Sequence, residues 1–83
     1  MNQAQVIDRL QKIFDELFLD PVVLTPALTA REVEEWDSLL QISIVVAVEG
    51  HFGIRFNMGE VEATQNVGQF ADLIVKRIAE KSA

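Results

Sequence analysis

Apolar residues recur at three- and four-residue steps near both ends of the chain, which is the spacing of one face of a helix. The first pattern predicts a helix from Asn2 to about Leu19, with Asn2 and Gln5 forming a capping box. Asp20 and Pro21 end this helix, because the residue before a proline avoids the helical region. Its apolar face consists of Val6, Leu10, Ile13, Phe14 and Leu17.

The second pattern predicts a last helix that begins at Asn66, with Gln69 as its capping-box partner. Between the two lies a segment with apolar residues on every side, from Asp37 or Ser38 to about Gly53. Its β-branched residues would also suit a strand. Its length and its caps, a polar residue at the start and glycine at the end, favour a helix.

Two aperiodic segments join these helices. Residues 20–36 contain both prolines and predict a long ordered loop held by apolar side chains, namely Val22, Leu24, Leu28 and Val33. Residues 54–65 form the other connection, with a short helical turn from Met58 to Ala63. The expected fold is all-α: one domain over residues 1–83, a small antiparallel bundle of three main helices plus one short helix.

The charge balance and the composition exclude several classes of function. Thirteen acidic and seven basic residues give a net charge of −6, which argues against nucleic-acid binding and suits basic partners. The chain has no cysteine and no apolar run long enough to span a membrane. Its first residues lack the pattern of a signal peptide. We therefore expect a cytoplasmic protein, and a monomer.

The segment Glu-Trp-Asp-Ser-Leu-Leu at residues 35–40 begins the middle helix. It resembles the Asp-Ser-Leu signature of acyl carrier proteins, and the resemblance continues through residues 48–54 and 66–74. It implies that Ser38 carries 4′-phosphopantetheine covalently and that Asp37 supports the attachment. It also implies that the chain is not an enzyme. In that family the terminal thiol of the arm holds an acyl group as a thioester.

Physical chemistry agrees with this role for Ser38. A serine between a loop and a helix is accessible to a transferase, and a helix N-terminus favours a negatively charged phosphodiester. The alternative is that Ser38 is only an N-cap. Both roles are compatible if Asp37 caps the helix and Ser38 points outward.

The middle helix has more apolar residues than one buried face requires, so some must be exposed. In the family this helix meets partner enzymes, and we predict that Leu39, Ile42, Val46 and Glu49 contact partners. Ile44, Val48 and Phe52 are predicted to belong to the core, and the resemblance makes them candidates to line an acyl pocket there. The first turns contain Leu40, Gln41 and Ser43, where fatty-acid carriers usually have acidic residues. This departure favours a specialised pathway.

Three other features have simpler interpretations. Trp36 is predicted to be a hydrophobic plug between loop and helix, rather than a residue flanking the arm. His51 has no companion ligand, so no metal site is predicted. Glu32, Glu34 and Glu35 are expected to be solvated, because a catalytic carboxylate pair needs a pocket.

The leading hypothesis is a discrete acyl carrier protein of a polyketide, fatty-acid-like or single-acyl pathway. Its expected partners are a phosphopantetheinyl transferase and an acyl- or aminoacyl-adenylating enzyme, a ketosynthase or an acyltransferase. The alternatives are an aminoacyl carrier, D-alanyl or peptidyl, and an unmodified helical interaction module. A hydrolase using Ser38 is disfavoured, because His51 lies at the far end of the same helix, roughly 20 Å away at 1.5 Å per residue.

Overall fold

The computed structural model describes residues 1–57 and 59–82, except for the side chain of Ser82. Its helices are α1 (Gln3–Leu17), α2 (Ser38–Phe52) and α3 (Val67–Ser82), with a short 3-10 helix at Ala30–Glu32. The residues in those two ranges contain no strand. The predicted all-α fold with three main helices is confirmed.

The start of α1 is confirmed and its end is not. Asn2 and Gln5 form the predicted capping box, each side chain accepting the backbone N–H of the other at 2.9 Å. The helix ends at Leu17, two residues earlier than predicted, because Phe18 adopts an extended backbone. That turn directs the Phe18 ring into the core, where it stacks on Phe14 with a centroid distance of 4.9 Å.

Both ends of α2 agree with the prediction. Asp37 is the N-cap, and Gly53 is the C-cap with φ +65°. This left-handed conformation is one that glycine adopts at little cost. At the start of α3, Asn66 accepts the Gln69 N–H at 2.8 Å, as predicted. The Gln69 side chain accepts from Gln65 rather than from Asn66, so the second bond reaches one residue further back.

One core joins the three helices, and α1 packs against both α2 and α3. The fully buried side chains are mainly branched aliphatics with one phenylalanine, and they come from every helix: Val6, Leu10, Phe14, Ile44, Val48, Val67 and Ile74. Burying a side chain of this kind contributes about 1.5–3 kcal/mol. The packing fixes α2 through its inner face only.

The first connection (residues 18–37) is held against α1. Leu24 is buried, and the other predicted anchors, Val22, Leu28 and Val33, are half-buried against the core. The Gln11 side chain reinforces this contact with two bonds: its amide donates to the Val22 carbonyl at 2.6 Å, and its oxygen accepts the Leu24 N–H at 2.9 Å. The predicted loop anchors are therefore confirmed.

In the second connection (residues 53–66), the described residues 53–57 and 59–66 form turns, and no segment among them is long enough to count as a helix. Met58, where the predicted helical turn begins, lies outside the described residues. The Ala63 N–H bonds to the Gly59 carbonyl at 3.1 Å, and the Thr64 N–H to the Val61 carbonyl at 3.0 Å. The first of these bonds spans four residues, as in a single helical turn, and residues 53–57 and 59–66 contain no longer helical run. The short helix lies in the first connection instead, at Ala30–Glu32.

Carboxylates hold the second connection to the helices on either side. Glu49 of α2 accepts the Phe56 N–H at 3.0 Å. Glu60 accepts the Asn57 N–H and pairs with Arg77 of α3. The backbone bond from Asn57, assisted by Arg77, lowers the pKa of Glu60 below its ordinary value. The connection is thus tied to both α2 and α3 through charged groups.

Candidate functional site

Ser38 is the first residue of α2, and its side chain is exposed. The cap of this helix is Asp37, whose carboxylate accepts the Leu40 N–H at 2.8 Å. The cap therefore does not require the Ser38 hydroxyl. The structure agrees with the arrangement in which Asp37 caps the helix and Ser38 faces solvent.

Trp36 fixes the chain immediately before this serine. Its ring packs edge-on against Phe14 and Phe18, with centroid distances of 5.0 and 6.0 Å. Its indole N–H donates to the Gln41 side-chain oxygen at 2.6 Å. The predicted hydrophobic plug is confirmed, and the hydrogen bond joins the loop to the first turns of α2.

Glu35 has a structural role that the sequence did not indicate. Its two carboxylate oxygens accept the N–H groups of Leu19 and Asp20, at 2.8 and 3.1 Å. The expectation that all three clustered glutamates are solvated is therefore wrong for Glu35, which is half-buried. It is right for Glu32 and Glu34, which are exposed. Glu35 closes the first connection next to the candidate site.

A cleft of about 480 Å³ opens beside Ser38, between the start of α2 and the second connection. Its lining is mixed polar and apolar: Ala30, Trp36, Asp37, Ser38, Gln41, Val61, Glu62, Thr64, Gln65, Asn66 and Phe70. A volume of this size accommodates a drug-sized ligand. A phosphopantetheine arm attached at Ser38 fits the residues present, since the hydroxyl is accessible and the adjacent cleft offers amide groups.

The predicted partner residues fall into two groups. Leu39, Ile42 and Val46 lie at steps of three and four on α2, and their side chains are 74%, 61% and 64% exposed. Together they form an apolar stripe open to solvent, which confirms that some apolar residues of α2 are exposed. Glu49 is half-buried, and its carboxylate is bonded to the Phe56 N–H.

The predicted acyl-pocket residues belong to the core. Ile44 and Val48 are fully buried, and Phe52 is half-buried against the same core. None of the three lines the cleft beside Ser38. The polar residues that do line it, such as Thr64 and Gln65, were not singled out from the sequence, because the second connection has no periodic pattern to mark them.

His51 is exposed and lies edge-on to Phe52, with a centroid distance of 4.9 Å. It occupies the last turn of α2, at the opposite end from Ser38. Within residues 1–57 and 59–82, no group of three or more His, Asp or Glu side chains could hold a metal ion. Over the same residues, no helix is long and apolar enough to cross a membrane.

Comparisons with known proteins agree with this arrangement. A family model described as a phosphopantetheine attachment site matches residues 8–74. An acyl carrier protein of Thermosynechococcus vestitus is 29% identical over 80 residues, covering 95% of this chain and 99% of that relative. An acyl carrier protein of Rubrobacter xylanophilus is 29% identical over 77 residues, covering 92% of this chain and 95% of the relative.

Among solved structures, the holo acyl carrier protein of Geobacter metallireducens superposes with a TM-score of 0.83. It is 39% identical, and the match covers 92% of this chain and 88% of that one. The chain therefore belongs to the acyl carrier protein family. It is a non-catalytic carrier whose cofactor is covalently bound 4′-phosphopantetheine. Proteins of this family interact with phosphopantetheinyl transferases and with biosynthetic enzymes.

Proposed function

We propose that Ser38 is the attachment residue and that the chain presents its acyl cargo to the enzymes of a specialised pathway. The observation that carries this proposal is the exposed Ser38 hydroxyl at the start of α2, where Asp37 provides the cap. The free N–H groups of the first turn favour the negative charge of a phosphodiester at this position. When bound, the arm supplies a thiol that holds the acyl group as a thioester.

The attachment step is a substitution at phosphorus. The Ser38 oxygen forms a bond to the phosphorus that bears the pantetheine arm in coenzyme A. The pyrophosphate bond breaks, and adenosine 3′,5′-bisphosphate leaves, while the hydroxyl proton passes to a base on the transferase or to solvent. Asp37 supports this step as the residue that orients the start of α2.

Partner enzymes are proposed to recognise the apolar stripe formed by Leu39, Ile42 and Val46. An exposed stripe of this kind on a small monomer commonly marks a protein contact. The first turns of α2 carry no acidic residue. Recognition by a ketosynthase, an acyltransferase or an adenylating enzyme therefore relies more on apolar contact than on charge. This property supports a polyketide-like or single-acyl pathway over ordinary fatty-acid synthesis.

The test of the attachment residue is a mass measurement. Incubating the purified chain with a broad-specificity phosphopantetheinyl transferase and coenzyme A should add the mass of one arm. Ser38→Ala should gain none. Ser43→Ala is the matched control, because Ser43 is an exposed serine on the same helix, and it should be modified like the wild type. Full modification of Ser38→Ala, or none of the wild type, would overturn the proposal.

A further inference from the structure

The backbone that leads into Ser38 is folded into two tight turns. The Trp36 N–H donates to the Val33 carbonyl at 3.1 Å, and the Asp37 N–H donates to the Glu35 carbonyl at 3.0 Å. The backbone donors on either side of this bend are thus satisfied within the chain. The chain therefore reaches Ser38 by a defined path, and the direction of that path depends on where Glu35 lies.

Glu35 is placed by its own carboxylate, which accepts the N–H groups of Leu19 and Asp20 at 2.8 and 3.1 Å. These two residues directly follow Phe18, the C-cap of α1. The Leu19 side chain is 93% exposed and Asp20 is exposed as well, so packing of their side chains does not hold them. Bonds from backbone N–H groups to a carboxylate are stronger than bonds between neutral groups. One side chain therefore joins the end of α1 to the turn before α2.

The neighbouring glutamates do not make such a connection. Glu32 accepts the Thr29 hydroxyl, three positions away, at 3.1 Å, and Glu34 is exposed. The bonds of Glu35 instead join residues that are 15 and 16 positions apart. Solubility alone requires no bond of this range, so the position of Glu35 is specified by the tertiary structure.

We infer that Glu35 is a positioning residue for the attachment reaction. By bonding the two N–H groups after α1, it holds the turn before α2, so that the Ser38 hydroxyl meets the transferase in its reactive orientation. Glu35 takes no part in the bond changes at phosphorus. Its contribution is preorganisation, which reduces the ordering cost of binding. This inference rests on the proposed attachment at Ser38.

Loss of the bonds should affect KM more than kcat. A chain with a loose turn presents Ser38 correctly only part of the time, and the apparent affinity falls by the populated fraction. The complex with the transferase is then ordered as in the wild type, so turnover is unchanged. Glu35→Ala should therefore raise the KM for the chain about three- to tenfold and leave kcat within about twofold. Mass spectrometry follows the reaction. Wild-type modification is measured first, so a failure of attachment is seen separately.

Two controls separate positioning from charge and from stability. Glu34→Ala removes the same charge from the adjacent exposed position and should keep the wild-type KM. Gln11→Ala breaks the bonds that hold Val22 and Leu24 to α1, away from the turn before Ser38. It should lower stability without raising KM. A rise in KM as large in either control as in Glu35→Ala would overturn the inference.

Hydrogen exchange measures the bonds themselves. Glu35→Asp keeps the charge and shortens the side chain by one methylene group, and Glu35→Gln keeps the length and removes the charge. The Leu19 and Asp20 amide protons should exchange faster in all three Glu35 variants, while the Val48 amide in α2 stays protected and shows that each is folded. Across the folded variants, KM should rise with the exchange rate at the two amides. A wild-type KM in a variant with fast exchange, or a raised KM without it, would contradict the assignment.

Discussion

The two connections that flank α2 are held in different ways. The first is fastened to α1 by buried apolar side chains and by the neutral amide of Gln11. The second is fastened to α2 and α3 by the carboxylates of Glu49 and Glu60, the latter paired with Arg77. Both connections contribute residues to the cleft beside Ser38. Both connections also have buried apolar anchors, Leu24 in the first and Ile54 and Val61 in the second. The difference is that the second connection is tied to its two helices by carboxylates in addition to this packing, whereas the first is tied to α1 by packing and by a neutral amide.

The two connections serve different purposes in a carrier protein: the first sets the start of α2, and the second forms the opposite wall of the cleft. The first connection positions Trp36 and Asp37, which set the start of α2, and its tie to α1 contains no ion pair, so that tie should be insensitive to salt. The second connection supplies the opposite wall of the cleft, and its ion pair is partly accessible to solvent. Exposed ion pairs contribute little to stability and are screened by salt. We expect that wall to move first when conditions change.

The largest effect on stability should come from truncating Leu24, the buried apolar side chain that anchors the first connection. Leu24→Ala removes a side chain that is 7% exposed and should lower the free energy of unfolding by about 2–4 kcal/mol. The neighbouring Val23 is 78% exposed, so Val23→Ala should change it by less than about 0.5 kcal/mol. Urea denaturation followed by circular dichroism measures both. Equal effects would mean that the loop is not anchored by packing.

A smaller effect should follow from removing the side-chain amide of Gln11, through which α1 bonds to the first connection. Gln11→Ala leaves the Val22 carbonyl and the Leu24 N–H without their partner and should cost about 1–2 kcal/mol. Lys12→Ala, at the next and exposed position of α1, is the control and should be nearly neutral. The same denaturation measurement applies. A neutral Gln11→Ala would show that water replaces both bonds.

The smallest effect should be local and should depend on pH. The pKa of Glu60 is lowered in the folded protein. The stabilising contribution of its carboxylate to folding is therefore complete above the ordinary glutamate pKa of about 4.3. That contribution is lost as the pH falls through the lower folded value. The Asn57 amide proton should shift in this acidic range, and Glu60→Gln should abolish the shift. Glu80→Gln, which removes the other partner of Arg77, should keep it. An unchanged titration in Glu60→Gln would contradict the assignment.

Periodic and capping signals predicted most of the fold. Asn2, Asp37 and Gly53 were identified as helix boundaries because capping depends on local residue types. The end of α1 was placed two residues too late. Phe18 leaves the helix to pack against Phe14 and Trp36, a tertiary contact that a local pattern does not contain.

The candidate site was predicted only in part. Its serine follows from the Asp-Ser-Leu motif and from the helix start. The bonds of Gln11 and Glu35 to distant backbone groups join residues eleven to sixteen positions apart, and no periodicity marks such contacts. The cleft itself combines residues of α2 with the aperiodic second connection. Its polar lining therefore became visible only in three dimensions.

Trp36 is the only tryptophan of the chain, and there is no tyrosine. Near-ultraviolet emission therefore comes essentially from a single indole, which lines the cleft and donates to Gln41. A group that enters the cleft should change the polarity around that ring and shift or quench its fluorescence. The protein thus contains an intrinsic optical reporter beside its candidate attachment site, and cargo could be followed in real time without a label.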